Sequence, residues 1–449
     1  MAAGVGRTTP GGGVIRKIYS GLASLLGPAV WLRLQWRGRK EPLYRTAIGE
    51  RFGRYAGKKT QGCLWLHAVS LGETRAAAPL IDALRRALPD RPLLLTHGTA
   101  TGREAGRALL REGDRQVWLP FDSRGAVRRF LDQFAPLAGV LMETEVWPNL
   151  LAEAQARGVP VLLANARLSE RSLHRGHRVD ALLRPAFESL TWVFAQTEAD
   201  AARLRAAGAR TVSVEGNLKF DLTPEPRLIA LGRRWKTGVA PRSVVLAAST
   251  REGEEASLLA AWRSVCVPRP ILLLVPRHPQ RFEAVAERVA GSGFSLSRRS
   301  TWGEVPPERA ASADVWLGDS MLEMPAWYSV ADVALLGGSF EPLGGQNLIE
   351  AAACGCPLVM GPHTFNFSEA AELALAAGAA VRSSDVVEGI GAALRLVTDE
   401  GRGRRDDMAS RALAFSLQHR GAAARTAAGI GAVVSGRTPA PQSLHGSPA

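Results

Sequence analysis

Cysteine is scarce in this chain: Cys63, Cys266, Cys354 and Cys356 are the only four in 449 residues. So few cannot staple a chain of this length, which excludes a disulfide framework and points to a reducing compartment. Long apolar runs are missing too. None reaches the roughly 18 residues that a spanning helix needs, which excludes a multi-pass membrane protein. Also absent are the phosphate loop GxxxxGK(S/T), the dinucleotide turn GxGxxG, the zinc pair HExxH, the nucleophile elbow GxSxG and any Asp-x-Asp pair for a metal–diphosphate site. ATP hydrolysis, NAD chemistry, zinc proteolysis and serine hydrolysis thereby lose their usual support, and neither a metal nor a cofactor is expected.

What is present is positive charge, placed unevenly. The formal net charge is +14, yet residues 1–60 hold twelve Lys or Arg against only Glu41 and Glu50. The remaining chain is close to balanced, unlike the folded surface of a nucleic-acid binder, so no nucleic acid is expected as partner. The basic residues flank Ile18–Leu32, which carries no charge, and Trp31 and Trp36 precede Arg37-Gly38-Arg39-Lys40. As a helix this uncharged stretch spans about 22 Å, short of a hydrocarbon core of roughly 30 Å. Residues 1–42 are therefore expected to form a basic amphipathic helix lying on an anionic membrane surface, with no signal-peptide cleavage pattern behind it.

Beyond this arm short apolar runs alternate with amphipathic helical windows, the pattern of parallel sheets covered by helices. Strands are expected at Leu64–Val69, Leu93–Thr96, Val117–Leu119, Gly139–Met142, Val159–Ala164, Trp192–Ala195 and Val212–Val214. After Leu222-Thr223-Pro224-Glu225-Pro226 a second series follows at Val244–Ala248, Ile271–Val275, Val315–Leu317, Val333–Leu336, Pro357–Met360 and Ala379–Val381. Two Rossmann-like α/β domains result, 43–222 and 223–434, the second closed by a helical window from Arg404 to Val434. Residues 435–449 read as a disordered tail rich in Pro, Gly and Ser.

Ligands of such folds bind outside the carboxyl ends of the strands, and two such domains are expected to face each other across a cleft. The first strand-end loop, His67-Ala68-Val69-Ser70-Leu71-Gly72-Glu73, opens a helix with a carboxylate. Glu73 has a bland reading as a helix-terminus carboxylate and a sharper one as a general base. Leu141-Met142-Glu143-Thr144-Glu145-Val146-Trp147-Pro148-Asn149 ends a strand in two acids, and Glu145 reads as a cap. In the second domain Ser249, Thr250 and Arg251 form an anion-site candidate at a helix start. Arg277-His278-Pro279 and the glycine-rich Gly337–Asn347 loop, leading to Glu350, complete the set. Cys354-Gly-Cys356 reads as packing rather than a metal pair, and His174 and His177, in a basic helix, as solvated or phosphate-contacting groups.

Taken together these loops resemble the 3-deoxy-D-manno-octulosonic acid (Kdo) transferases of lipopolysaccharide synthesis, from about Leu43 to Arg382. The most specific blocks are the two acidic loops above, Asn165-Ala166-Arg167-Leu168-Ser169, Gly216-Asn217-Leu218-Lys219-Phe220-Asp221 and Gly361-Pro362-His363-Thr364-Phe365-Asn366-Phe367. The resemblance implies a GT-B fold, a CMP-Kdo donor and a lipid A precursor as acceptor. It also implies metal-independent inversion and work at the cytoplasmic face of the bacterial inner membrane. Glu73 matches the family's base, with Gly72, Thr101, Glu143 and Lys219 on the acceptor or cleft side. Ser249, Thr250, Arg251, Arg277, His278, Pro279, Gly338, Ser339, Gln346, Asn347 and Glu350 match the donor side. Gln346 stands where the family usually has histidine, which removes that ring's charge and leaves a neutral hydrogen-bond donor. The alternative is another GT-B glycosyltransferase of envelope lipids with a UDP-sugar donor.

Overall fold

The computed structural model describes residues 12–39, 41–266 and 269–437. They form two compact units, one holding the chain up to Asp221 together with the stretch from Arg420 onward, the other Leu222–His419. Of the tail expected over 435–449, residues 438–449 lie outside the described residues, as do residues 1–11 of the basic arm.

In the first unit β1 (Leu64–His67), β2 (Leu93–His97), β3 (Arg115–Trp118), β4 (Ala138–Met142), β5 (Val161–Ala166), β6 (Trp192–Ala195) and β7 (Val212–Val214) form one parallel sheet, in the order β3-β2-β1-β4-β5-β6-β7. The strands are apolar on both faces, as a sheet covered twice requires. Along β1, Leu64 and Leu66 pack with Leu80, Leu95 and Val140, whereas Trp65 points to the other face and packs with Phe130, Phe134 and Leu141. The chain runs outward from β1 through β2 and β3, then returns to β4 on the opposite side of β1. The strand order therefore reverses between β1 and β4, and the loops leaving these two strands diverge at the carboxyl edge.

The second unit repeats this plan. Its strands are β8 (Val244–Thr250), β9 (Ile271–Pro276), β10 (Leu296–Arg298), β11 (Val315–Leu317), β12 (Val333–Leu336), β13 (Leu358–Met360) and β14 (Ala380–Arg382). Their order is β10-β11-β9-β8-β12-β13-β14, parallel throughout, with the reversal between β8 and β12. Gly337 sits at this reversal because a Cβ there would lie 2.6 Å from the carbonyl oxygens of Ala248 and Ser249. Strand β10 was not expected: Leu-Ser-Arg alternates because an edge strand needs only one buried face, and three residues are too few to signal it.

Two further differences concern the ends of the chain. The single amphipathic helix expected in residues 1–42 is two helices, Gly12–Leu25 and Gly27–Arg37. The break falls where Pro28 supplies no N–H to the preceding turn and starts the next helix well. Among the described residues no helix is long and apolar enough to cross a membrane. The helical window placed in the second domain is also two helices, Arg402–Gln418 and Ala422–Val434, and the latter belongs to the first unit. Ala422, Ala423, Ala427 and Ile430 pack with Leu80, Leu84 and Phe194, and Gly429 lets the helix approach Phe194, whose ring carbon would be 2.7 Å from a Cβ.

Asp221 fixes the start of this last helix, accepting from the N–H groups of Gly421 (2.5 Å) and Ala423 (2.6 Å). Asp221→Ala leaves these donors without the carboxylate, and we expect the first unit to lose about 1–3 kcal/mol of stability. Urea denaturation should give a lower midpoint for Asp221→Ala than for the parent, with Asp221→Asn between them.

Candidate active site

The loop after β1 starts the helix Leu71–Ala87 with Ser70 as N-cap, its hydroxyl accepting from the N–H of Glu73 at 3.3 Å. Glu73 is the third residue of the helix, the position from which a carboxylate reaches back to the cap. Its Oε1 accepts from the Ser70 hydroxyl (2.9 Å) and its Oε2 from the N–H of Val69 (2.8 Å). Both the capping role and an acidic group at the sheet edge are therefore present in one side chain. Burial pushes the Glu73 carboxyl up to about 7; the Val69 N–H and Ser70 hydroxyl pull it down, while Glu143 and Glu145 push it further up. Among the described residues no cation pairs with it.

Glu143, after β4, has a different setting. Its backbone is left-handed (φ 57°), and its carboxylate meets Arg167 Nε at 3.1 Å and Lys219 Nζ at 3.6 Å. Lys219 is carried by the turn Leu218–Asp221, which Asn165 fixes by accepting from the Leu218 N–H at 3.0 Å. Asn165 itself has φ 53° at the end of β5, so two strained residues sit side by side on the carboxyl edge. Glu145 accepts from the Trp147 indole at 2.8 Å, and burial raises its pKa. Beneath them burial drives the His67 and His97 rings down to about 3 and 4, so both are neutral. Gly72 and Thr101 are exposed, and Thr99, beside Thr101, ties its loop to Val69 by a 2.9 Å hydrogen bond. Sequence reasoning assigned no role to Arg167 or Asn165, although both lie in a block it singled out.

At the second reversal the helix after β8, Glu254–Trp262, begins with two buried carboxylates that the sequence reading passed over. Glu254 accepts from the N–H of Gly338 (2.7 and 2.8 Å) and of Arg251 (2.8 Å). Glu255 takes the Thr250 hydroxyl at 2.7 Å and a two-pronged Arg281 at 2.6 and 2.8 Å. The Ser339 hydroxyl donates to Leu336 O at 2.5 Å and accepts from Gly361 N–H at 2.8 Å. The hydroxyls of Thr250 and Ser339 and the amide of Gly338 are thus occupied within the protein. Burial, together with the charges of Arg277, Arg251 and Arg281, lowers the His278 pKa. A Cβ on Gly338 would lie 3.1 Å from Gln346 Nε2 and 3.7 Å from Arg251 Cγ, so these three positions adjoin. Ser249 (φ 57°) ends β8, exposed Pro279 follows His278, and Asn347 caps the short helix bearing Glu350.

Residues 46–222 match the family described as 3-deoxy-D-manno-octulosonic-acid transferase (kdotransferase). The 3-deoxy-D-manno-octulosonic acid transferase of Bordetella pertussis is 46% identical over 93% of this chain and 98% of its own length. The chain belongs to the Kdo transferase family. The Haemophilus influenzae enzyme of the same name is 35% identical, over 79% of this chain and 84% of its own. A glycosyltransferase structure from Rickettsia africae superposes with a TM-score of 0.54 at 12% identity, covering 83% of this chain and 99% of that one, a likeness of fold. The Kdo transferase is thus a glycosyltransferase of GT-B architecture, and its two strand-order reversals are where its acids and arginines gather.

The raised Glu73 pKa has a consequence for stability. Because the folded value lies above the unfolded one, the native state holds the extra proton between about pH 4.5 and 7. The stabilisation is complete below pH 4.5 and is lost as pH rises to 7. In Glu73→Gln this part of the pH dependence vanishes. Between pH 5 and pH 8 the parent should lose about 2–3 kcal/mol more than the variant, measured by urea denaturation at each pH.

Proposed function

We propose that this Kdo transferase moves Kdo from CMP-Kdo to a hydroxyl of a lipid A precursor (lipid IVA), with inversion, using Glu73 as general base. The observation that carries the reading is the Glu73 carboxylate: partly buried, held by two donors, unpaired with any cation among the described residues, and raised to about 7. A base of that pKa is substantially ionised at neutral pH and still takes a proton readily. The acceptor O–H proton passes to Glu73 as that oxygen bonds to the anomeric carbon of Kdo. The bond from that carbon to the CMP phosphate oxygen breaks, and its electron pair leaves with CMP. One displacement inverts the carbon. No step is routed through a metal: Arg251 and Arg277 meet the phosphate charge, and Glu143, with Arg167 and Lys219, shapes the acceptor side.

Release of CMP from CMP-Kdo with a lipid A precursor tests this. Glu73→Gln should lower kcat by about 10²- to 10⁴-fold, and kcat/KM of the parent should rise with pH through about 7 as the base ionises. Parental turnover in Glu73→Gln would refute the assignment.

The same reading locates the work at the cytoplasmic face of the inner membrane. Supporting it, the helix Gly12–Leu25 exposes Ile15, Ile18, Leu22 and Leu25, recurring at steps of three and four, while Trp31 and Trp36 are exposed on the next helix beside Arg33 and Arg37. Removing residues 1–40 should abolish cosedimentation with anionic liposomes; undiminished binding would rule the anchor out.

A further inference from the structure

We propose that the helix Glu170–His177, with Arg178, is a recognition surface for the phosphate groups of the acceptor glycolipid, read by Arg171, Arg175 and Arg178. This rests on the acceptor being a phosphorylated lipid, as the proposed function has it.

The helix has no buried residue, and only Leu173 and the preceding Leu168 rest against the core of the first unit. Its spacing sets the rest. Arg171, Arg175 and Arg178 recur at i, i+4 and i+7 and so share one face, turned away from that of Leu173. All three are exposed, and none has an ion-pair partner among the described residues. The nearby acids do not neutralise them. Asp180 is taken by Arg184 at 2.8 Å, with His177 at 4.0 Å, and Glu170 lies in the first turn, where it complements the helix dipole. Three unpaired guanidinium groups in a row suit ligands with oxyanions several ångströms apart, because each fork can take a phosphate with two parallel hydrogen bonds.

Two observations place such a ligand here rather than elsewhere on a basic protein. The row is continuous with the candidate site: Arg167, paired with Glu143 at 3.1 Å, precedes the Ser169 cap of this helix, so Arg171 begins one turn beyond the catalytic edge. From there Arg175 lies about 6 Å and Arg178 about 10 Å further along the axis. At its far end the helix packs on Asp180–Glu188, and the amphipathic helix Gly12–Leu25, with Ile15, Ile18, Leu22 and Leu25 exposed, packs on that same element. An acceptor with its reacting hydroxyl at Glu73 would thus find cations beside its sugar headgroup and an apolar surface beyond them.

The triple variant Arg171→Ala, Arg175→Ala, Arg178→Ala in the full chain tests this, in detergent micelles free of other anionic lipid. KM for the phosphorylated lipid A precursor should rise about tenfold or more, the effect falling on KM rather than kcat and sparing the KM for CMP-Kdo. With the enzymatically dephosphorylated precursor, parent and variant should behave alike. An unchanged KM, or an equal rise with the dephosphorylated lipid, overturns the proposal. So does a variant that loses only its binding to acceptor-free phosphatidylglycerol vesicles, since the row would then read bulk lipid. Should neither protein transfer Kdo, the function reading fails on its own. Direct binding of the phosphorylated precursor, weaker in the variant by the same factor, still decides the role of the arginines.

Discussion

A carboxylate that no cation among the described residues pairs with, at the edge where a parallel sheet reverses its strand order, is the feature on which the first unit turns. Glu73 must be held in place, yet every donor that holds it also lowers its affinity for a proton. The loop after β1 settles this with two donors, the Val69 N–H and the Ser70 hydroxyl, against the opposing effect of burial. Two hydrogen bonds restrain the side chain but leave about half of the lone-pair positions of a carboxylate open. Glu143, just after β4 and near enough to raise the Glu73 pKa, receives both Arg167 and Lys219. The same edge therefore holds one acid that is neutralised and one that is not, and the difference lies in which strand-end loops carry cations.

Much of this was legible in the amino-acid order, for physical reasons that also explain the gaps. Thirteen strands announce themselves because both faces of a covered sheet must be apolar, which makes short unbroken runs such as Leu64–Leu66 and Ile271–Val275. The fourteenth, Leu296–Arg298, lies at an edge where that requirement lapses. The spacing Ser70-x-x-Glu73 signals a helix start, and it cannot separate a capping carboxylate from a base, because a carboxylate that caps this helix also lies at the sheet edge. The helix Ala422–Val434 shows an apolar stripe of small residues but nothing that names its sheet. That choice is made by Asp221, two hundred residues earlier in the chain.

The donor-side loops show a different limit. Hydroxyls and glycine amides near a helix start suggest phosphate contacts from pattern alone. Here the Thr250 and Ser339 hydroxyls and the Gly338 amide are used to hold the loops together, mostly through Glu254 and Glu255. These groups already have partners within the protein, and the bonds hold the two loops against the start of the helix Glu254–Trp262. Pattern reading marks the loop but cannot tell which of its atoms are already engaged, since hydrogen-bond partners far apart in sequence leave no local trace.

The buried acids at the two reversals also decide which of them is suited to accept a proton, independent of any relative. Glu254 receives two backbone N–H groups, those of Gly338 and Arg251, and Glu255 a hydroxyl with both prongs of Arg281. Glu255 thus has a guanidinium beside it, while burial raises the Glu254 pKa as it does that of Glu73. Glu73 likewise has two donors and two neighbouring acids, so adding a proton relieves repulsion from Glu143 and Glu145 while leaving Oε2 bonded to Val69. What sets Glu73 apart is access: Glu254 is shut away from solvent and Glu255 is held by Arg281, whereas Glu73 stays partly exposed at the sheet edge, where a proton can reach it from outside the protein.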